Sequence, residues 1–506
     1  MGDLASLLAD YGGDPADLRL LDADGPDLLP YATLLTARRN ADAALRGVGA
    51  VYEWQGAPLI FLMEVDALEG DDHLHKIRRL LAMRGDAPYM GVIGPGRLDV
   101  YRIALDSKSP RQARVDWGDE GSRGTAFARL GNVRPHAVIS QRNWISNVVL
   151  NLLTGSISRL IAIEGVTDED AISLVGRALF TRFLADRGLL PAGLSGDDDG
   201  ASLFDIRDVA QKTSAWLDVT FNGDLLPLSS GIFTVLPDHA FDILGDILRR
   251  APDSQLFLGW EEKWDHLDFA HIPVGVLSQA YELYLRSHAP VRQRREGGYY
   301  TPRPIADLMV RASFRALQRQ DLSHKARVLD PAAGAGVFLL TAFRELVAEH
   351  WRVVGQRPDT NTLRSILYKQ VVGFDINEAA LRFAALGLYL SSIELDPNPR
   401  PVDKLRFKDL RGTVLHRICS DDAVEGASLG SLGPLVSDQH LGQYDLVVGN
   451  PPWASGTGLP DWHLVRGKVR QIATDRQISI SSPPLPNEGL DLPFVWRAME
   501  WAKPGG

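Results

Sequence analysis

Between residues 326 and 450 the sequence four times runs an apolar stretch into a polar tip. ARVLD ends at Asp330, VVGFD at Asp375, LHRICSDD at Asp421 and Asp422, and YDLVVGN at Asn450. The first two are each followed by a helical pattern, VFLLTAFREL and EAALRFAALGLYL. Short buried runs alternating with helices are the signature of parallel strands joined by crossovers. The expected fold class is therefore α/β, a doubly wound and mainly parallel sheet from about residue 290 onward. Open sheets of this kind bind ligands outside the carboxyl ends of their strands, where these tips lie.

The tips carry the chemistry. Gly334 and Gly336, in the PAAGAG turn after Asp330, leave the backbone open to a ligand, although a purely structural tight turn would use glycines in the same way. Asp375 could accept hydrogen bonds from both ribose hydroxyls of a nucleoside, with Ile376 flanking the purine; an aspartate here could equally cap the next helix. Asp421 and Asp422 could line an adenine pocket, or cap, or face solvent. The fourth tip, Asn450-Pro451-Pro452-Trp453, is more restrictive. Pro451 keeps Asn450 out of the helical region, and two consecutive prolines hold the backbone extended with no N–H to donate. The Asn450 amide oxygen and a proline carbonyl then face outward as a rigid acceptor pair. An exocyclic amine such as adenine N6 needs such a pair: its lone pair is delocalised into the ring, and holding both hydrogens favours a pyramidal, nucleophilic nitrogen. Trp453 adds a face on which a base can stack, worth about 1–3 kcal/mol. The plainer alternative is a Pro-Pro turn beside a core tryptophan.

A chain of 506 residues suggests about three domains at roughly 150 residues each. Residues 1–135 mix strand-like runs (AVYEW, LIFLMEV, YMGVI, LDVYRIAL) with the amphipathic LHKIRRLLAM, as in a small α/β domain; residues 136–290 are helical, broken by the loop AGLSGDDDGAS; residues 291–506 hold the strand tips. No apolar run reaches the 18 or so residues of a membrane span, and the start lacks a secretory leader. With one cysteine, Cys419, no internal disulfide is available, and a cytoplasmic location is expected. A net charge of −10 argues against a uniformly basic surface but leaves room for a local basic groove.

Taken together, GGYYTPRPIADLMV (297–310), the turn from Asp330 to Phe338, Asp375 and NPPW stand in the order of the γ-class amino-methyltransferases that act on DNA, and the chain resembles them over roughly 137–506. ALFTRFLADRGLLP and HIPVGVLSQAYELYL are similar to the connector of type IIG restriction-modification enzymes and of the methyltransferases of BREX and DISARM phage-defence systems. The resemblance implies a Rossmann-like class I methyltransferase domain. Its cofactor is S-adenosylmethionine, met by Tyr300, Thr301, Pro302, Asp330, Ala332, Gly334, Gly336, Phe338, Asp375, Ile376 and Asp422. Its catalytic residues are Asn450, Pro451, Pro452 and Trp453, and its substrate is double-stranded DNA. Asparagine rather than serine at 450 favours adenine N6 over cytosine N4, with direct transfer to a flipped base and no metal or covalent cysteine. Arg292, Arg294, Arg295 and Arg303 are candidate phosphate contacts, though such a cluster is more often a solvated face.

Type IIG enzymes carry a PD-(D/E)xK nuclease at the N-terminus. LIFLMEVDAL supplies Glu64 and Asp66 but lacks the expected lysine, which points to a degenerate nuclease-like or accessory domain. The chain also stops before the last strands and the target-recognition domain usual in the family. It is therefore expected to be part of a longer protein or to take the missing half from a partner polypeptide, with YDLVVGN as an exposed apolar edge. Two further functions fit the same residues: a non-catalytic DNA- or cofactor-binding component of a defence complex, and a protein or RNA amino-methyltransferase.

Overall fold

The computed structural model describes residues 4–40, 43–118, 120–133, 144–191, 193–194, 200–221, 226–250, 263–288, 301–399, 409–420, 424–457, 459–478 and 485–506. Arg292, Arg294, Arg295, Tyr300, Asp421 and Asp422 lie outside these residues. The chain forms two compact units, Met1–Val219 with Leu226–Ala280, and Thr220–Leu225 with Tyr281–Gly506. Residues 1–135 and nearly all of 136–280 fall in the first of them. Among the described residues no helix is long and apolar enough to cross a membrane.

The first unit is built on a six-stranded sheet in chain order: β1 (Leu18–Leu20), β2 (Val48–Trp54), β3 (Ala57–Glu64), β4 (Tyr89–Gly94), β5 (Arg97–Arg102) and β6 (Arg114–Val115). Neighbours are antiparallel except β3 and β4, which run parallel because the helix α1 (Asp71–Ala82) crosses over between them. The β2–β3 hairpin turns on Gln55 (φ 53°) and Gly56 (φ 79°), the left-handed pair whose twist suits a two-residue turn. Its register separates the acidic residues. Glu53 pairs with Pro58 near the turn, whereas Glu64 ends β3 at the far side, opposite Ile93. Glu53 is buried and held by the Tyr31 hydroxyl (2.7 Å) and Arg19 (3.2 Å). Among the described residues no group of side chains spaced to hold a metal ion includes Glu64 or Asp66.

Helices α2 (Ile145–Ile161), α3 (Asp168–Asp186), α4 (Arg207–Phe221), α5 (Asp238–Leu248) and α6 (Val274–His288) follow. Thr167 caps α3, its hydroxyl accepting from the Asp170 N–H (3.1 Å). Near the other end Arg182 and Asp186, both fully buried, pair at 2.7 Å. Arg182 also donates to the carbonyls of Arg249 (2.6 Å) and Leu267 (2.8 Å), so the buried charges are fully engaged.

The second unit contains the sheet expected from the strand tips. Its strands are β7 (Val328–Asp330), β8 (Val371–Asp375), β9 (Leu415–Arg417) and β10 (Leu446–Val447), in the order β10-β7-β8-β9 and all parallel. The helices are α7 (Arg303–Gln318), α8 (Val337–Val354), α9 (Thr360–Gln370), α10 (Glu378–Leu395), α11 (Trp462–Asp475) and α12 (Asp491–Trp501). The alternation along β8 shows how both faces are covered. Val372 and Phe374 pack with Trp501 and Tyr444 on one face, while a β-carbon on Gly373 would meet Leu339 of α8 at 2.6 Å on the other. The expected bare edge is partly covered. Leu446 and Val447 are half-buried, and Tyr444 bridges in parallel to Ala502, with the Lys503 N–H donating to the Tyr444 carbonyl (2.9 Å).

Beneath that edge, Phe374, His416, His440 and Tyr444 form a ring cluster, His416 and His440 lying 5.2 Å apart. His440 Nδ1 and the Tyr444 hydroxyl share a hydrogen bond of 2.5 Å. Burial, reinforced by the neighbouring charges of His416 and Arg327, pushes His440 down to about 4 from 6.5. The unfolded chain takes up this proton near pH 6.5 and the folded chain only near pH 4, so the stability involved is complete above 6.5 and lost as pH falls toward 4. His416, also lowered by burial, acts in the same direction. Thermal unfolding of His440→Gln should therefore fall less steeply between pH 6.5 and 4.5 than that of the parent. Equal slopes would remove His440 from the account.

Candidate active site

Three strand tips meet at the carboxyl end of the second sheet. Asp330 ends β7 fully buried, its Oδ1 accepting from the Ala332 N–H at 3.0 Å. The glycine turn that follows is fastened to β8, since the Ala333 N–H donates to the Phe374 carbonyl (2.8 Å) and the Gly334 N–H to Asp375 Oδ2 (2.8 Å). Asp375 Oδ1 accepts from the Asn377 N–H (2.8 Å). Asp375 is therefore held by two backbone donors, and the capping of α10 falls to Asn377, whose side chain accepts from Ala379 (3.0 Å) and Ala380 (3.3 Å). Gly336 opens α8 at φ 87°, where a β-carbon would press on Ala384 at 3.0 Å.

The third tip is β10. Its continuation passes so close to Asp330 that a β-carbon on Gly449 would lie 2.5 Å from Asp330 Oδ1 and 3.3 Å from Pro331 Cδ. This contact packs the chain that leads into Asn450 against the end of β7. Asp330 is buried and already bonded, so Gly449→Ala should destabilise the second unit by about 1–3 kcal/mol, measured by chemical denaturation. A loss below 0.5 kcal/mol would show that the approach is looser than described. Asn450, Pro451 and Pro452 are half-buried, whereas Trp453 is 65% exposed. The Trp453 indole Nε1–H donates to Asn450 Oδ1 at 2.7 Å. Beyond it the loop is pinned, Leu490 N–H donating to the Ala454 carbonyl (3.1 Å) and Ser455 Oγ to the Asn487 carbonyl (3.0 Å).

The description "N-6 DNA Methylase" matches residues 274–506, the span that contains all three tips. This span is similar to the N-6 DNA methylase family. Three solved structures are similar to the chain. The DrdV–DNA complex is 13% identical over 89% of this chain and 42% of that one, with a TM-score of 0.37. The type IIL restriction-modification enzyme MmeI in complex with DNA is 15% identical over 70% and 48%, with a TM-score of 0.37. The type IIG restriction endonuclease BpuSI is 13% identical over 95% and 50%, with a TM-score of 0.39. The chain thus spans about half the length of these structures or less. No curated protein matches the sequence.

Within the second unit, Ala332, Gly334, Asp375 and Ile376 are part-buried around the tips, and Ile376 lies against Gly430 (φ 54°), where a β-carbon would meet it at 2.6 Å. Phe338 is 2% exposed, on the first turn of α8. Thr301 is 7% exposed and Pro302 caps α7. Arg303 faces Asp307 at 3.8 Å, and Asp307 is tied to α8 by Arg344 (2.8 Å) and Thr341 (3.0 Å). Burial opposes the charge on Asp307, but Arg344, Arg303 and Arg311 outweigh it and hold the carboxyl below its ordinary value. Arg303 is thereby engaged inside the domain.

Two residues of the candidate site escape a reading of strand tips alone. Gly449 has no local turn to mark it. Ser431, from the 3-10 turn Ala427–Leu432, donates its hydroxyl to the Pro331 carbonyl at 2.6 Å and ties that turn to the glycine loop. Glu425, Asp461 and His463 also come together near the start of α11. Asp461 Oδ2 accepts from the Gly426 N–H (2.7 Å), and His463 Nε2 lies 3.3 Å from Glu425 Oε1, an arrangement that fastens the loop to the helix.

Proposed function

We propose that the chain transfers a methyl group from S-adenosylmethionine to N6 of an adenine flipped out of double-stranded DNA, as part of a restriction-modification or phage-defence system. The observation that supports this reading is the contact of Gly449, the residue before Asn450, with Asp330, the residue that ends β7 just before the glycine turn braced by Asp375. The residues suit the cofactor: Asp375 is fixed at the tip of β8, where a carboxylate can meet ribose hydroxyls, and the 332–336 backbone carries no bulky side chain. S-adenosylmethionine supplies an electrophilic sulfonium methyl when bound.

The chain's own residues position and polarise. Asn450 Oδ1 and the carbonyl of Pro451 accept the two N6 hydrogens, which draws the lone pair out of conjugation and toward the methyl. The largest contribution expected is orientation, because two reactants held in line need not find each other from solution. In this structure the Trp453 indole N–H fills Asn450 Oδ1. It keeps the amide oxygen facing the loop surface until an amino hydrogen replaces it, and the exposed ring is then released to stack on the base. Extrusion of the base costs a few kcal/mol, offset by this stacking and by phosphate contacts. Arg470, on the exposed face of α11 next along the chain from the NPPW loop, can supply one of those contacts. Partner chains that complete target recognition belong to the same proposal, as does a cytoplasmic site of action.

The experiment is methyl transfer from labelled S-adenosylmethionine to duplex DNA, with RNA and protein as parallel acceptors, followed by nucleoside mass spectrometry. N6-methyladenine from DNA is the expected product. Label in protein or RNA but not in DNA would overturn the substrate, and cofactor binding without transfer to any acceptor would favour the non-catalytic reading.

A further inference from the structure

In the first unit a cleft of about 580 Å³ opens beside β6, lined by Tyr89, Arg102, Arg114, Trp117, Arg129 and Leu130 among others. Its volume lies in the range of small-ligand sites and is far larger than an inorganic anion needs. The lining is strongly cationic. Three guanidinium groups, those of Arg102, Arg114 and Arg129, face one carboxylate, Asp116, whose Oδ1 already accepts from the Gly118 N–H at 3.0 Å. Arg114 is paired with Asp99, but that carboxylate also holds Arg97 (2.6 Å), so one negative charge serves two arginines.

The arginines are placed by the fold. Arg102 ends β5 and donates from Nη2 to the Gln112 carbonyl (3.0 Å), while its buried Nε–H has no acceptor among the described residues. Arg129 projects from the short helix Ala126–Gly131, and its Nη1 lies 2.6 Å from where a β-carbon on Gly118 would be. Gly118 adopts φ 131°, so a glycine makes room for the guanidinium. The aromatic wall is equally fixed. Trp117 donates its indole N–H to the Leu98 carbonyl (2.9 Å) and meets Tyr11 edge-on at 5.7 Å.

We propose that this cleft binds a nucleoside phosphate, the phosphate on the guanidinium groups of Arg102, Arg114 and Arg129 and the base against Trp117. Guanidinium forks match phosphate oxygens two at a time, and an indole accepts any base by its π-face. The same chemistry is offered by a free nucleotide and by the terminal nucleotide of a DNA strand. The inference stands independently of the methylase reading, since the cleft is formed within the first unit.

Calorimetric titration of the full chain tests it, with thymidine 5′-monophosphate as the probe because thymine avoids an adenosine site elsewhere. Saturable binding at about 1 mM or tighter is expected, and thymidine without the phosphate should bind at least about tenfold more weakly. Arg129→Glu should abolish binding while Arg129→Lys retains part of it. Arg129 is exposed, so both variants should unfold at the parent temperature. A 5′-phosphorylated oligothymidine that binds more tightly than the mononucleotide identifies a strand end as the source; the reverse order identifies a free nucleotide. No saturation by either probe, or unchanged affinity in Arg129→Glu, would overturn the proposal.

Discussion

Asn450→Ala is expected to lower methyl transfer to DNA by at least about 100-fold, as removing one preorganised polar contact to a developing charge does elsewhere. Affinity for S-adenosylhomocysteine should stay within about twofold of the parent, because Asn450 lies on β10's continuation and is not among the expected cofactor contacts at 300–302, after β7, at and after β8, and at 422. The two readouts must separate. Single-turnover transfer measures the first and calorimetry the second. Asn450→Ser, which keeps a shorter acceptor, should fall between parent and alanine variant. A rate within about threefold of the parent in Asn450→Ala would exclude the amide from the reaction, whatever else the domain does.

Asp375→Ala should have the opposite profile, weakening cofactor binding by roughly 10- to 100-fold, since hydrogen bonds to a charged group are worth about 1.5–3 kcal/mol each. Part of the loss comes from the cofactor side, where the ribose would lose its acceptor. The rest comes from within the protein. Asp375 accepts from the N–H groups of Gly334 and Asn377, both at 2.8 Å, and without it the glycine turn loses a tie to β8. Asp375→Asn, which keeps one acceptor oxygen, should recover part of the affinity. If alanine at this position left S-adenosylhomocysteine binding unchanged, the second strand tip would have to be dropped from the cofactor site.

The sequence displayed the sheet of the second unit unusually well because each strand advertises itself twice, by an apolar run and by the residue that terminates it. Asp330, Asp375 and Asn450 stand at or just beyond the ends of β7, β8 and β10, and these strands are hydrogen-bonded neighbours. Local patterning also located strands β2 to β5 and the helix α1, whose apolar spacing lies within single stretches of chain. What stayed hidden depends on residues far apart in sequence. Gly449 is required by Asp330, and Ser431 reaches Pro331 across 100 positions. No composition in Ala502-Lys503 marks it as a strand, yet it pairs with Tyr444 and shields the edge that apolar content alone left bare. The capping role was likewise ambiguous, since Asp375 and Asn377 are both suited to it and only the geometry assigns it to Asn377.

The solvent-facing position of Trp453 makes the domain its own optical reporter. Trp501, Trp264 and Trp462 are at most 8% exposed and should emit at short wavelengths, whereas an indole that is 65% exposed emits to the red and is open to quenchers. Covering that ring with a nucleobase should shift or extinguish its share of the emission within the lifetime of a single encounter. Subtraction of a Trp453→Phe trace would then give the rate at which a base arrives, separately from the rate at which it is modified.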